Sequence, residues 1–192
     1  MVKPDYPLKE FKTSRSFESW LARNHARADG IRIKLAKKAS GITSISYAEA
    51  LEVALCYGWI DGQSKSIDEQ WYWQRFTPRR TRSLWSKRNR GLVARLIDEG
   101  RMQAAGQAEI DRAKADGRWD AAYDSPANAK VPDDLTGALQ KDPRAKRFFD
   151  ALDAQNRYAI LHRLMTAKKP DTRAKRIAAF IEMLREGRKL YP

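Results

Sequence analysis

The chain reads Trp-Tyr-Trp-Gln-Arg-Phe-Thr-Pro from residue 71 to residue 78. Aromatic residues are enriched in strands, so this stretch predicts a β-strand. Residues 59–66 predict a second strand, joined to the first near Asp68 and Glu69. Ile31, Ile33 and Leu35 alternate with polar residues, which is typical of a strand with one wet face. The first half of the chain therefore contains β-structure, and the pattern leaves open whether all three strands share one sheet.

Helical patterns surround these strands. Ser16 is placed to cap a helix over about residues 16–29, ended by Gly30. Ser46 and Glu49 form a capping box that opens a helix before Gly58.

Beyond Pro78 the periodicity is helical throughout. Ser86 is the expected cap of a helix that places Leu96 and Ile97 inward, and a weaker helix follows over about residues 103–116. Residues 120–133 predict a long loop, and Asp142 followed by proline predicts the start of another helix. We therefore expect a helix-dominated α+β fold, with a small N-terminal β-sheet and flanking helices in a mixed half (1–82) and an all-helical C-terminal half (83–192), the two forming one compact unit.

Composition excludes several protein classes. One cysteine among 192 residues rules out an internal disulfide framework and a cysteine-based metal cage. With two histidines, a His-rich metal site is not expected either, and we expect no cofactor. No apolar run is long enough to predict a membrane span, and the first residues lack the apolar core of a signal peptide. The expected location is the cytoplasm.

The net charge of +14 is unevenly distributed. Residues 70–97 contain eight basic and no acidic side chains, and residues 143–192 contain 13 basic and five acidic ones. Both stretches therefore have a net charge of +8 and flank a mildly acidic one. Such fields attract polyanions such as nucleic acid, or phosphorylated small molecules. The alternative is a solvated basic surface that serves solubility.

Arginines and aromatic residues are interleaved over residues 71–95. Guanidinium groups bind phosphate or carboxylate with two parallel hydrogen bonds, and aromatic rings can stack on a base. Short polar groups near a predicted helix start also favour an anion. The predicted anion-binding residues are Arg75, Arg79, Arg80, Arg82, Ser86 and Asn89, with Trp59, Trp73 and Trp85 as stacking or structural aromatics. The alternative is that the rings belong to the core and that the arginines pair with acidic residues after position 98.

Two further features have weaker chemical meaning. Asp61 is placed to orient an arginine, and it is the one candidate for an acid or base, although no second group of matched character is recognisable. A second cationic cluster surrounds a predicted break between helices and includes Lys168, Arg173 and Arg176. It favours either a bound anion or solvated side chains.

Five separated motifs occur together in one order. They run over residues 54–62 (Ala-Leu-Cys-Tyr-Gly-Trp-Ile-Asp-Gly), 75–80 (Arg-Phe-Thr-Pro-Arg-Arg), 83–89 (Ser-Leu-Trp-Ser-Lys-Arg-Asn), 115–119 (Ala-Asp-Gly-Arg-Trp) and 172–177 (Thr-Arg-Ala-Lys-Arg-Ile). In this the chain resembles the YdeI/OmpD-associated family, also labelled bacteriocin-protection proteins, over nearly its whole length. The resemblance implies a role in the tolerance of bacteria to bacteriocins or antimicrobial peptides, and it transfers no catalytic residues.

Three functions remain open from the sequence. The first is a binding protein whose arginine- and tryptophan-rich surface holds an anionic partner, either nucleic acid or a phosphorylated small molecule. The second is an enzyme that acts on a small anionic metabolite, with Asp61 as the acid or base. The third is a protein–protein adaptor, whose partner the sequence leaves unknown.

Overall fold

The computed structural model describes residues 6–192, and the chain divides into two compact units. The first unit consists of the chain up to Leu84 together with Asn89–Asp120, and the second of Trp85–Arg88 together with Ala121–Pro192. The fold is α+β and helix-dominated, with its small sheet in the N-terminal half and a helical C-terminal half, as the sequence predicts.

The first unit contains one four-stranded sheet. Its strands are β1 (Leu8–Glu10), β2 (Ile31–Ala36), β3 (Trp59–Ser66) and β4 (Trp71–Pro78), in the order β1-β2-β4-β3. β1 is parallel to β2, whereas the β2–β4 and β3–β4 pairs are antiparallel. The three predicted strands are confirmed, and they do share one sheet. The sequence did not predict β1, because its three residues are all exposed and show no alternation.

Helices α1 (Ser14–Asn24) and α2 (Tyr47–Cys56) belong to the same unit. The N-cap of α1 is Thr13, and Ser16 is at position N3, where it completes the capping box, so the predicted cap was wrong. The helix also ends before Gly30: His25 is its C-cap, and the Arg27 and Ala28 amides then donate to the Asn24 carbonyl in a turn. The capping box of Ser46 and Glu49 is confirmed.

Helix α3 (Lys87–Asp98) starts in the second unit and continues in the first, where α4 (Ala104–Ala115) follows it. Leu96 is buried, but Ile97 is 41% exposed, so the prediction that it faces inward was wrong. α4 lies close to the end of α2, since a Cβ on Gly106 would meet the Cys56 carbonyl oxygen at 2.3 Å. Burial in this region raises the pKa of the Cys56 thiol to about 11.

The second unit contains α5 (Asp133–Gln140), α6 (Pro143–Asp150), α7 (Ala154–Met165) and α8 (Pro170–Arg185). Asp142 caps α6 as predicted, and its side chain accepts a hydrogen bond from the Ala145 amide. α5 was not predicted from the sequence. The core consists of buried side chains from all of these helices: Leu135, Leu139, Ala145, Phe149, Ile160, Leu161, Leu164, Phe180 and Leu184. Within residues 6–192, no helix is both long and apolar enough to cross a membrane.

Candidate functional site

The two faces of the sheet differ in composition because β2 and β4 alternate. Ile31, Ile33 and Leu35 are at most 1% exposed and lie opposite Phe76, Gln74 and Tyr72. The Phe17 ring of α1 contacts the Phe76 ring, with 5.9 Å between ring centroids. This inner face is therefore part of the core of the first unit.

The residues between them form the opposite face. Arg32 lies opposite Arg75, Lys34 opposite Trp73, and Trp73 in turn opposite Lys65 of β3. Residues directly opposite each other on neighbouring strands point to the same side of a sheet. Lys65 is exposed and the others are half-buried. We call this surface the outer sheet face and define it by Arg32, Lys34, Lys65, Trp71, Trp73 and Arg75.

Cations lie over aromatic rings along the outer sheet face. The Lys34 Nζ is 3.9 Å from the centroid of the Trp71 ring, and the Arg32 guanidinium carbon is 5.7 Å from that of Trp73. The Arg75 guanidinium is 6.0 Å from the Tyr6 ring. Each such pair contributes about 0.5–1 kcal/mol when exposed. The rings and the positive charges therefore alternate on one surface instead of forming separate patches.

The positive charge of this face is only partly balanced. Glu10 is 3.4 Å from the Lys34 Nζ, whereas no carboxylate within residues 6–192 pairs with Arg75 or Lys65. A β-bulge between Asp61 and Ser64 brings Gly62 under the Arg75 side chain, and a Cβ on Gly62 would lie 2.8 Å from the Arg75 Nε. Because Gly62 has no side chain, the Arg75 guanidinium has room to lie against it.

The predicted anion-binding residues do not lie on a single surface. Arg75 is on the outer sheet face, and Arg80 and Arg82 are exposed in the loop that follows β4. Arg79 is 6% exposed, and its Nη1 donates to the Leu84 carbonyl at 3.2 Å. Ser86 and Asn89 are each 8% exposed, and Ser86 belongs to the second unit.

Arg118, which was not among the predicted site residues, is 4% exposed. Its Nε donates to both carboxylate oxygens of Asp116 at 2.8 Å, and its Nη1 donates to the Ser83 carbonyl at 2.8 Å. Arg79 and Arg118 therefore donate to successive carbonyls, those of Leu84 and Ser83, and hold this loop in place. Arg118 lies in the motif of residues 115–119, and this was the only sign in the sequence that could have drawn attention to it.

Two of the three predicted aromatic residues are buried in the interior. Trp59 is 1% exposed and donates its Nε1 hydrogen to the His25 carbonyl, and Trp85 is 2% exposed. Of the three, only Trp73 is on the outer sheet face. Arg32, Lys34 and Trp71 were not predicted as site residues, although the alternation in residues 31–35 already placed the two cations on the wet side of the strand.

Asp61 has a neutral partner. The Tyr47 hydroxyl donates to its Oδ2 at 2.9 Å. No arginine within the described residues pairs with it, so the expectation that Asp61 orients an arginine was wrong.

The second cationic cluster is bound to groups of its own unit. The Arg173 Nε and Nη2 donate to the two carboxylate oxygens of Asp134 at 2.6 and 2.9 Å, and its Nη1 donates to the Leu164 carbonyl at 2.7 Å. The Arg173 guanidinium lowers the pKa of the Asp134 carboxyl. Arg176 donates to the Arg163 carbonyl, while Lys168 is exposed. Both arginines therefore satisfy carbonyls at the C-terminal end of α7.

Two family models match the chain. Residues 9–109 match the family described as "Domain of unknown function (DUF8412)", and residues 128–187 match "Bacteriocin-protection, YdeI or OmpD-Associated" (OmdA). Comparison with curated proteins and with solved structures gave no significant match. The second match confirms the resemblance over the C-terminal part of the chain, which contains one of the five motifs. Because the first match spans more than half of the chain, the chain belongs to the DUF8412 family. It also carries a C-terminal OmdA domain of the bacteriocin-protection type.

Proposed function

We propose that this chain is a binding protein and that its outer sheet face takes single-stranded nucleic acid. The observation that supports the proposal is the alternation of tryptophan rings and cations on one side of the sheet, with Arg75 and Lys65 lacking carboxylate partners within the described residues.

The proposal assigns separate roles to rings and cations. Single strands present unstacked bases, and each base stacked on an aromatic ring contributes about 1–3 kcal/mol. Trp71 and Trp73 are two residues apart on β4, which corresponds to about 7 Å along a strand, so each ring can take a different base once the cation over it moves to a phosphate. The neighbouring cations then meet the phosphates, and their contribution falls with rising salt.

A single strand fits this surface better than the other anions considered. A duplex keeps its bases stacked and would use only the charges, whereas a small phosphorylated molecule would use one or two of them. A row of cations along two neighbouring strands matches a chain of phosphates.

This proposal connects to the OmdA domain indirectly. A cationic surface repels a cationic peptide, so we propose that any role in bacteriocin tolerance passes through nucleic acid in the cytoplasm and not through capture of the peptide. Arg80 and Arg82, exposed after β4, are proposed to extend the same surface.

The test is fluorescence anisotropy with a labelled single-stranded RNA of about 12 nucleotides and with a duplex DNA, from about 50 to 300 mM salt, on protein stripped of nucleic acid. We expect the single strand to bind more tightly than the duplex. Trp73→Ala removes one stacking ring and should weaken single-strand binding roughly 5-fold to 100-fold.

Ile97→Ala is the matched control, since it truncates an exposed apolar side chain of the same unit that lies on a helix. It should leave the affinity unchanged. Equal affinity for both nucleic acids, with no effect of Trp73→Ala, would show that only charge is being measured and would refute the proposed use of the rings.

A further inference from the structure

The second unit has a wide-mouthed cavity at its surface that none of the roles above involves. It has a volume of about 420 Å³ and is lined by Gln155, Tyr158, Ala159, His162, Arg163 and Tyr191. This volume lies within the range of about 300–1,000 Å³ that is typical of small-molecule sites. All lining residues except Tyr191 belong to α7, at positions that follow one stripe of the helix.

Aromatic rings form the walls of this cavity. The His162 ring meets the Tyr123 ring edge-on, with 4.7 Å between centroids, and lies 5.7 Å from the Tyr158 ring. The Tyr158 hydroxyl donates to the Asp124 carbonyl at 2.9 Å, which fixes the orientation of that ring. The walls are therefore held in place by contacts outside the cavity.

The polar groups of the cavity are largely unused by the protein. Within the described residues, neither the ring nitrogens of His162 nor the side-chain amide of Gln155 has a hydrogen-bond partner. Burial, followed by the charge of Arg163, lowers the pKa of His162, so its imidazole is neutral at neutral pH and offers one donor and one acceptor.

Arg163 gives the cavity its charge. Its Nη1 donates to the Ala159 carbonyl at 3.1 Å, and its guanidinium lies 5.9 Å from the Tyr191 ring centroid. No acidic residue lines the cavity, and no carboxylate in the described part of the chain pairs with Arg163. The remaining donors of its planar fork suit a carboxylate or a phosphate.

We infer that this cavity binds a small anion that carries a planar ring. Arg163 holds the anionic group, Tyr158, His162 and Tyr191 contact the ring, and Gln155 donates to or accepts from its edge. Nucleoside monophosphates and aromatic carboxylates share this chemistry. The site belongs to the second unit and does not depend on nucleic-acid binding by the outer sheet face.

The chain supplies its own reporter, because it has two histidines. His162 lines the cavity, while His25 caps α1 in the first unit, with its Nδ1 3.0 Å from the Leu21 carbonyl oxygen. The experiment follows the two imidazole signals by NMR during titration with adenosine 5′-monophosphate, indole-3-acetate or inorganic phosphate. We expect the His162 signal to shift with a Kd of about 1 mM or tighter, and the His25 signal to stay in place.

The response to the three probes identifies the source of the ligand. Saturation by the nucleotide alone indicates a nucleotide site, and saturation by the carboxylate alone indicates an aromatic acid. Inorganic phosphate binding as tightly as either would refute the role of the ring. No saturable shift of His162 with the nucleotide or the carboxylate would overturn the inference.

Variants separate the cavity from the rest of the surface. Arg163→Gln should weaken binding roughly 10-fold or more. Arg157→Gln should not, because Arg157 is on the same helix α7 but its guanidinium lies over the Phe149 ring of α6. Tyr191→Ala tests the ring independently and serves if Arg163→Gln fails to fold. An unchanged Kd in the folded variants of Arg163 and Tyr191 would refute the site. Trp73→Ala should leave this Kd unchanged, so that failure here and failure of the nucleic-acid proposal can be told apart.

Discussion

The two basic stretches, residues 70–97 and 143–192, have the same net charge of +8, and individual arginines within them are used differently. In the second stretch, Arg173 and Arg185 pair with Asp134 and Asp142, and Arg176 donates to a helix carbonyl. In the first, Arg75 lies beside an aromatic ring and has no carboxylate partner within the described residues. The net charge of a stretch therefore does not reveal which of its arginines can bind an anion. What decides is whether the protein already satisfies the guanidinium.

The largest expected effect concerns the stability of the second unit. Arg173→Ala removes three hydrogen bonds and leaves the Asp134 carboxylate and the Leu164 carbonyl without them. We expect the free energy of unfolding to fall by about 1–3 kcal/mol, at the lower end because the side chains are partly exposed. Urea unfolding measures the loss, and anisotropy should show unchanged nucleic-acid affinity.

Lys175→Ala is the control for this variant, since Lys175 is exposed on the same helix. It should change stability by less than about 0.5 kcal/mol. If Arg173→Ala instead weakened nucleic-acid binding and left stability intact, the contrast between Arg173 and the cations of the outer sheet face would be wrong.

The sequence was sufficient where a pattern depends on near neighbours. Alternation identified β2 and its two faces, and the capping box at Ser46 was recognised because its members are three residues apart. α5 was missed, although Leu135 and Leu139 have helical spacing and acidic residues open the helix. That signal lies at the end of a stretch whose composition is otherwise typical of a loop.

The functional roles of the arginines depended on distant partners. Asp134 is 39 residues from Arg173, and the carbonyl that Arg118 binds is 35 residues away. Tertiary structure decides which guanidinium is satisfied, so the sequence grouped Arg75 and Arg79 although one lies on the outer sheet face and the other is buried. Trp59 and Trp73 were grouped for the same reason, since composition does not reveal which ring is buried.

A smaller effect is expected in the first unit, on the salt dependence of nucleic-acid binding by the outer sheet face. Arg75→Gln and Lys65→Gln each remove one cation from the outer sheet face and little else. Each phosphate of a single strand that the protein no longer neutralises makes the negative slope of log affinity against log salt shallower by about 0.7, so the double variant should make it shallower by about 1.4. Stability should change by less than about 0.5 kcal/mol. Anisotropy across a salt series measures the slope.

The matched control is Lys175→Gln combined with Lys189→Gln, which removes the same charge from exposed positions of the second unit. Its salt slope should equal that of the unmodified protein. An equal reduction of the slope in both double variants would mean that net charge alone attracts the nucleic acid, and the outer sheet face would have no special role.

The smallest expected effect is a pH dependence in the second unit, where His162 lies beside Arg163 and is partly buried against Tyr123 and Tyr158. Burial and the Arg163 charge lower the pKa of His162 below its ordinary value of 6.5, so the unfolded chain binds this proton more readily than the folded one. The resulting stability is fully present above about pH 6.5 and is lost as the pH falls through the lowered pKa.

The His162→Gln variant cannot titrate at this position. Urea unfolding between about pH 5 and pH 8 should therefore show the protein losing stability relative to the variant below about pH 6.5, with a constant difference above it. A difference that is constant over the whole range, or that grows in favour of histidine as the pH falls, would mean that the cavity tolerates a second cation beside Arg163, and the charge that we assign to its wall would be wrong.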